Sequence, residues 1–106
     1  MIDLSFINGT IFHDDLSLLL DGDLSVQLLD LKEDMLQVEC SSSFLLDVGW
    51  YPSFDLDGRF QIRVVKDYDW SGLLFFSEVT TVSWLKREMV SAQNVIERAS
   101  KECEKK

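Results

Sequence analysis

The chain has 106 residues, 46% apolar and 27% charged, with a formal net charge of −9. That length supports one core without staples, the apolar content excludes general disorder, and no run approaches the roughly 18 apolar residues of a membrane helix. The acidity repels nucleic acid and anionic membranes and attracts basic partners.

The charge is unevenly spread. Residues 1–57 hold twelve acids and one base, Lys32, for −11, while residues 58–106 hold nine bases and seven acids, for +2. An excess confined to one half reads as a binding feature more than as general solubilisation. The start, Met1-Ile2-Asp3-Leu4, has neither a basic region nor a long apolar stretch, so no secretory signal and a cytoplasmic location are expected. Cys40 and Cys103 then read as reduced thiols, and Asn8-Gly9-Thr10 as a silent sequon. No repeat or linker divides the chain. Residues 1–106 read as a single domain, β-rich over 1–79 with a C-terminal helix over 81–103.

The first patterned segment is leucine-rich. Leu16, Leu18 and Leu20 alternate before Asp21-Gly22-Asp23, and Leu24, Val26 and Leu28 alternate after it. This predicts a hairpin with a three-residue loop, which places all six apolar side chains on one face. Met35–Cys40 and Phe44–Tyr51 follow as strand candidates, with Ser41-Ser42-Ser43 as the turn between them. A second hairpin is predicted over Ser53–Val65. A three-residue loop, Leu56-Asp57-Gly58, sets Phe54 opposite Phe60 and Asp55 opposite Arg59, with Gly58 left-handed in a G1 bulge. Phe60, Ile62 and Val64 then point inward and Arg59, Gln61 and Arg63 outward. Leu73–Phe76, continuing to Val79, is apolar on both faces, as suits a central strand under a helix or an interface strand.

The helix is the best-specified element. Thr80 or Thr81 can cap it. Val82, Leu85, Met89, Ala92, Ile96, Ala99 and Cys103 recur at alternating spacings of three and four, one stripe down about five to six turns. Strands that need a cover on one face favour packing this stripe on the sheet over a coiled-coil seam. The predicted fold is therefore α+β: an antiparallel sheet of about five to six strands with one long C-terminal helix packed on one face.

No catalytic constellation stands out. The lone histidine, His13, has Asp14 and Asp15 beside it but no marked nucleophile, and reads as a surface residue in a polar turn. Asp21-x-Asp23 and Asp55-x-Asp57-Gly58 resemble the opening of a calcium loop. The twelfth residues of those loops are Lys32 and Lys66, which cannot ligate, so both read as turns. The cysteines lack zinc spacing and no glycine-rich phosphate loop occurs. The chain reads as a binder without catalytic, metal or cofactor residues. A second constellation is aromatic and acidic: Trp50-Tyr51 after Asp47, and Asp67-Tyr68-Asp69-Trp70. Trp70 reads as core, and Tyr51 and Tyr68 as interface anchors.

Residues 57–88 run Asp-Gly-Arg-Phe-Gln-Ile-Arg-Val-Val-Lys-Asp-Tyr-Asp-Trp, then Leu-Leu-Phe-Phe, then Thr-Thr-Val-Ser-Trp-Leu-Lys-Arg-Glu. This resembles small bacterial immunity proteins of contact-dependent growth-inhibition and polymorphic-toxin systems, in which a polar hairpin leads through an Asp-x-Asp-Trp-like strand end into a Val-x-x-Trp-Leu helix. Ser71-Gly72 stands here where a proline is expected after the Trp. The resemblance implies a cytoplasmic domain that neutralises one cognate toxin, commonly a nuclease with a basic cleft. An acidic patch can occupy such a cleft in place of phosphates, with Asp14, Asp15, Asp21, Asp23, Glu33, Asp34 and Asp47 as its acids and Tyr51 and Tyr68 as anchors. A small acidic secretion chaperone, dimeric through Leu73–Phe76, is the competing expectation.

Overall fold

The structure is a computed structural model that describes residues 2–20, 23–40 and 43–104, with side chains to Lys101. Five strands, β1 (Thr10–Asp14), β2 (Leu36–Cys40), β3 (Phe44–Tyr51), β4 (Arg59–Lys66) and β5 (Phe75–Val79), form one antiparallel meander in the order β1-β2-β3-β4-β5. A 3₁₀ segment, Leu24–Asp30, lies between β1 and β2, and helix α1 (Val82–Glu104) ends the fold. The α+β architecture with its long C-terminal helix on one face is the one expected. β1 is an addition, since Thr10–Asp14 carries too short a pattern to announce a strand.

Alternation sorts the sheet into two faces. Leu36, Val38, Phe44, Leu46, Val48, Trp50, Phe60, Ile62 and Val64 are buried on the face under α1. α1 packs across β3, β4 and β5 with Val82, Leu85, Met89, Ala92 and Ile96, all at most 3% exposed. These are the first five residues of the predicted stripe; Ala99 packs at its margin, and the Cys103 side chain lies outside the described residues. Thr81 caps the helix, its hydroxyl accepting from the Trp84 N–H at 3.2 Å. Ile2, Leu16, Leu19, Leu31 and Met35 complete the same core.

The leucine-rich hairpin does not form. Leu16 and Leu19 are buried three residues apart, while Leu18, Leu20 and Val26 are exposed. Leu24 and Leu28 pack against the core and Leu31 is buried within it, at spacings of four and three. The local cause is side-chain competition for backbone groups. The Asp23 carboxylate accepts from the Ser25 N–H at 2.8 Å and hydroxyl at 2.6 Å, capping the 3₁₀ segment. The Gln27 amide then grips the backbone of Leu20, accepting from its N–H at 2.7 Å and donating to its carbonyl at 3.0 Å.

The second hairpin is β3–β4, not Ser53–Val65. Trp50 faces Phe60 and Tyr51 faces Arg59, so residues 52–58 form the loop and Phe54 is half-exposed at φ 60°. The inward and outward sets on β4 are as expected. Gly58 is not left-handed. A Cβ there would lie 2.4 Å from the Trp50 indole nitrogen, so the glycine makes room for tryptophan. Trp50 and Phe60 meet edge to face, centroids 4.8 Å apart at 82°. β5 is an edge strand, not a central one: Phe76 and Glu78 are exposed, Phe75 and Val79 turn toward the core, and Leu73 and Leu74 precede the strand. Trp70, expected in the core, is 45% exposed in the β4–β5 loop.

Candidate partner-binding surface

The sheet face away from α1 carries the chemistry. One row of facing residues crosses all five strands there: His13, Gln37, Asp47, Arg63 and Phe76. Asp47 stands at its centre and is only 4% exposed. Its carboxylate accepts from the Gln37 side-chain amide at 3.3 Å. Burial pushes its pKa up, against the Gln37 hydrogen bond and the positive charge of Arg63, while Asp34 adds to the rise. The pKa of Tyr51, two alternations along β3 on the same face, is raised as well, chiefly by burial and then by Asp47. The Arg63 guanidinium lies over the Tyr51 ring at 4.9 Å and donates to Gln61, whose amide donates to Glu78 at 3.0 Å.

Residues 32–35 bring further acids to this end of the face. The Trp50 N–H donates to the Lys32 carbonyl at 2.8 Å and the Met35 N–H to the Val48 carbonyl at 3.1 Å. The Glu33 carbonyl between them presses onto Gly49, where a Cβ would lie 1.7 Å from the carbonyl oxygen. Glu33 and Asp34 are thereby held beside Asp47 and Tyr51 with their side chains exposed. A His13 ring nitrogen bonds the Asp34 carbonyl at 2.9 Å and lies 3.3 Å from the Asp15 carboxylate. Lys32 pairs with Asp15 at 2.9 Å, and this bond leads the lowering of the Asp15 pKa.

Five predicted residues, Asp15, Glu33, Asp34, Asp47 and Tyr51, therefore gather at one end of one face. Asp14 is adjacent but turned to local work, accepting from the Ser17 N–H at 2.9 Å and hydroxyl at 2.6 Å. Asp23 is the cap of the 3₁₀ segment and borders a separate groove with Trp50, Leu56 and Thr81. Asp21 lies outside the described residues. Tyr68 is 62% exposed but follows the far end of β4, whereas Tyr51 pairs with the near end at Arg59. Eight paired residues separate the two ends, about 23 Å at strand rise, so Tyr68 does not join the cluster.

Gly49 and Gln37 were not singled out by sequence. A glycine inside an otherwise apolar strand signals close backbone approach, and that is what Gly49 provides. Among the described residues no group of three or more His, Cys, Asp or Glu side chains is placed to hold a metal ion. Cys40 is a free, buried thiol whose pKa burial raises. Among the described residues no helix is long and apolar enough to cross a membrane. No protein-family model, no curated protein and no solved structure matches the chain.

Proposed function

We propose that this chain is an immunity protein: a cytoplasmic, non-enzymatic domain that binds a cognate bacterial toxin and blocks it. The observation that supports this reading is the gathering of Asp15, Glu33, Asp34 and buried Asp47 with Tyr51 at one end of the sheet face away from α1. A basic cleft built for phosphates, as in a nuclease, is the complementary surface. The exposed carboxylates of Glu33 and Asp34 steer the encounter and meet the cationic side chains, Tyr51 supplies an aromatic anchor, and buried Asp47 adds negative potential behind them. Steered association of this kind reaches about 10⁸ M⁻¹s⁻¹ at low salt and falls as salt rises.

The test is the triple substitution Asp15→Lys, Glu33→Lys, Asp34→Lys, made on exposed or half-exposed side chains and assayed against a purified cognate toxin domain, to be sought in the neighbouring genes or by pull-down with this chain. Association is expected to slow by about tenfold or more at low salt and to lose most of its salt dependence. An unchanged association rate overturns the assignment of this surface.

A further inference from the structure

The two edges of the sheet are unlike. β1 is interrupted between Ile11 and His13, where the register shifts and Phe12 is left over, and it runs into Asp14 and Asp15. Bulges and charges of this kind keep an edge from pairing with another chain. β5 has neither: its register with β4 is unbroken, and Phe75-Phe76-Ser77-Glu78-Val79 contains no proline, no lysine and one charge. Around it stand Trp70, Leu73, Leu74, Phe76 and Trp84, each between 39% and 51% exposed. An unguarded edge flanked by large apolar side chains is a pairing surface.

We propose that β5 pairs with β5 of a second copy of this chain, antiparallel about a two-fold axis at Ser77, to make one ten-stranded sheet. Only that register pairs all five residues of the strand with themselves. It sets Phe76 across from the second copy's Glu78 and Phe75 across from Val79, so the two Glu78 carboxylates do not meet. The ends of the edge are also complementary. An open groove of about 350 Å³ runs beside Ser77–Thr80, lined also by Trp84 and by the charged Arg59, Glu78 and Glu88. Beyond Phe75 the chain presents Leu74 and Leu73. The two-fold lays each copy's Leu74 and Leu73 along the other's Thr80 and Thr81, beside that groove, as a self-complementary interface requires.

Charge selects the same edge. β4, β5 and α1 belong to residues 58–106, which sum to +2, while β1, β2 and β3 belong to the −11 segment. Pairing at β5 joins the weakly charged halves and holds the acidic halves apart; pairing at β1 brings them together. The acidic end around Asp47 stays open in both copies, so the dimer is independent of the toxin-binding reading.

Sedimentation equilibrium of the full chain is expected to give twice the 12.2 kDa chain mass at high concentration, with reversible dissociation on dilution. Phe76→Glu sets a carboxylate against Glu78 at two symmetry-related places and weakens the dimer at least about tenfold. Phe76→Lys meets the same Glu78 with opposite charge and weakens it less, and Phe76→Glu with Glu78→Lys restores it. Phe76 lies on the face away from the core, and circular dichroism of each variant checks that the fold is kept. A chain that stays monomeric throughout overturns the proposal. So does a dimer indifferent to Phe76→Glu, or β5 amides protected from exchange only when a partner protein is added.

Discussion

Gln37 and Asp47 face each other across β2 and β3 and share a hydrogen bond of 3.3 Å, which holds a buried carboxylate on the sheet face that no helix covers. Neutralising that carboxylate separates stability from recognition. Burial raises the Asp47 pKa in the folded chain, so the folded state holds this proton more tightly than the unfolded state does. Its contribution to stability is therefore complete below the unfolded pKa and is lost as pH rises through the folded one. Asp47→Asn keeps an acceptor for Gln37 and removes the charge. It is expected to be more stable than the parent at neutral pH, with the gain vanishing in acid, as urea unfolding at two pH values measures. The same variant is expected to bind a basic partner more weakly.

Gly49 tests whether the acidic end depends on backbone approach. A methyl group at Gly49 meets the Glu33 carbonyl at 1.7 Å, and a backbone oxygen has no rotamer with which to yield. Gly49→Ala is expected to cost about 1–3 kcal/mol through forced displacement of residues 32–35. It also swings Glu33 and Asp34 away from Asp47. Reduced association with the toxin, beyond what the lost stability explains, reads this out; an alanine variant of parental stability contradicts the contact.

Much of this fold is legible because it repeats. The Val82–Ile96 stripe keeps one helical face over four turns, and Phe60, Ile62 and Val64 alternate cleanly, so both elements can be placed by period. Leu16–Leu31 misleads because leucine fills positions at spacings of two, three and four at once. What decides there is polar: the Asp23 cap and the grip of Gln27 on Leu20. The β3–β4 loop misleads because Gly58 answers to Trp50, eight residues away, and not to a local turn type. At the site, the acidic bias of the first half is plain in the sequence. That Asp47 is buried while Glu33 and Asp34 lie beside it depends on pairing between segments, and no residue of the stretch announces that register.

The helix cap is a separable local contribution. Thr81 accepts the Trp84 N–H through its hydroxyl, and the Leu85 N–H donates to the Thr81 carbonyl at 2.9 Å. Thr81→Ala leaves the Trp84 N–H to solvent and is expected to cost about 1 kcal/mol. Thr81→Ser keeps the hydroxyl and restores most of that loss, while Thr80→Ala changes little.

Trp50 carries the largest single-residue consequence for the core. Its ring is 2% exposed, meets Phe60 edge to face, and donates through its indole N–H to the Asp55 carbonyl at 2.7 Å. It thus joins the sheet core to the 52–58 loop. Trp50→Phe keeps an aromatic edge against Phe60 but leaves the Asp55 carbonyl without this donor and opens space beside Gly58. The expected cost is about 2 kcal/mol, part lost hydrogen bond and part cavity. In that background Gly58→Ala loses its main clash, since the atoms a Cβ meets first are the indole nitrogen and its neighbouring carbon. The two substitutions are therefore expected to be strongly non-additive. Gly58→Ala is costly in the parent and less so beside Trp50→Phe, where the contact with the Tyr51 carbonyl at 2.9 Å remains, and a double-mutant cycle of unfolding free energies measures the coupling directly. Additive costs would mean that Gly58 is held by something other than the tryptophan.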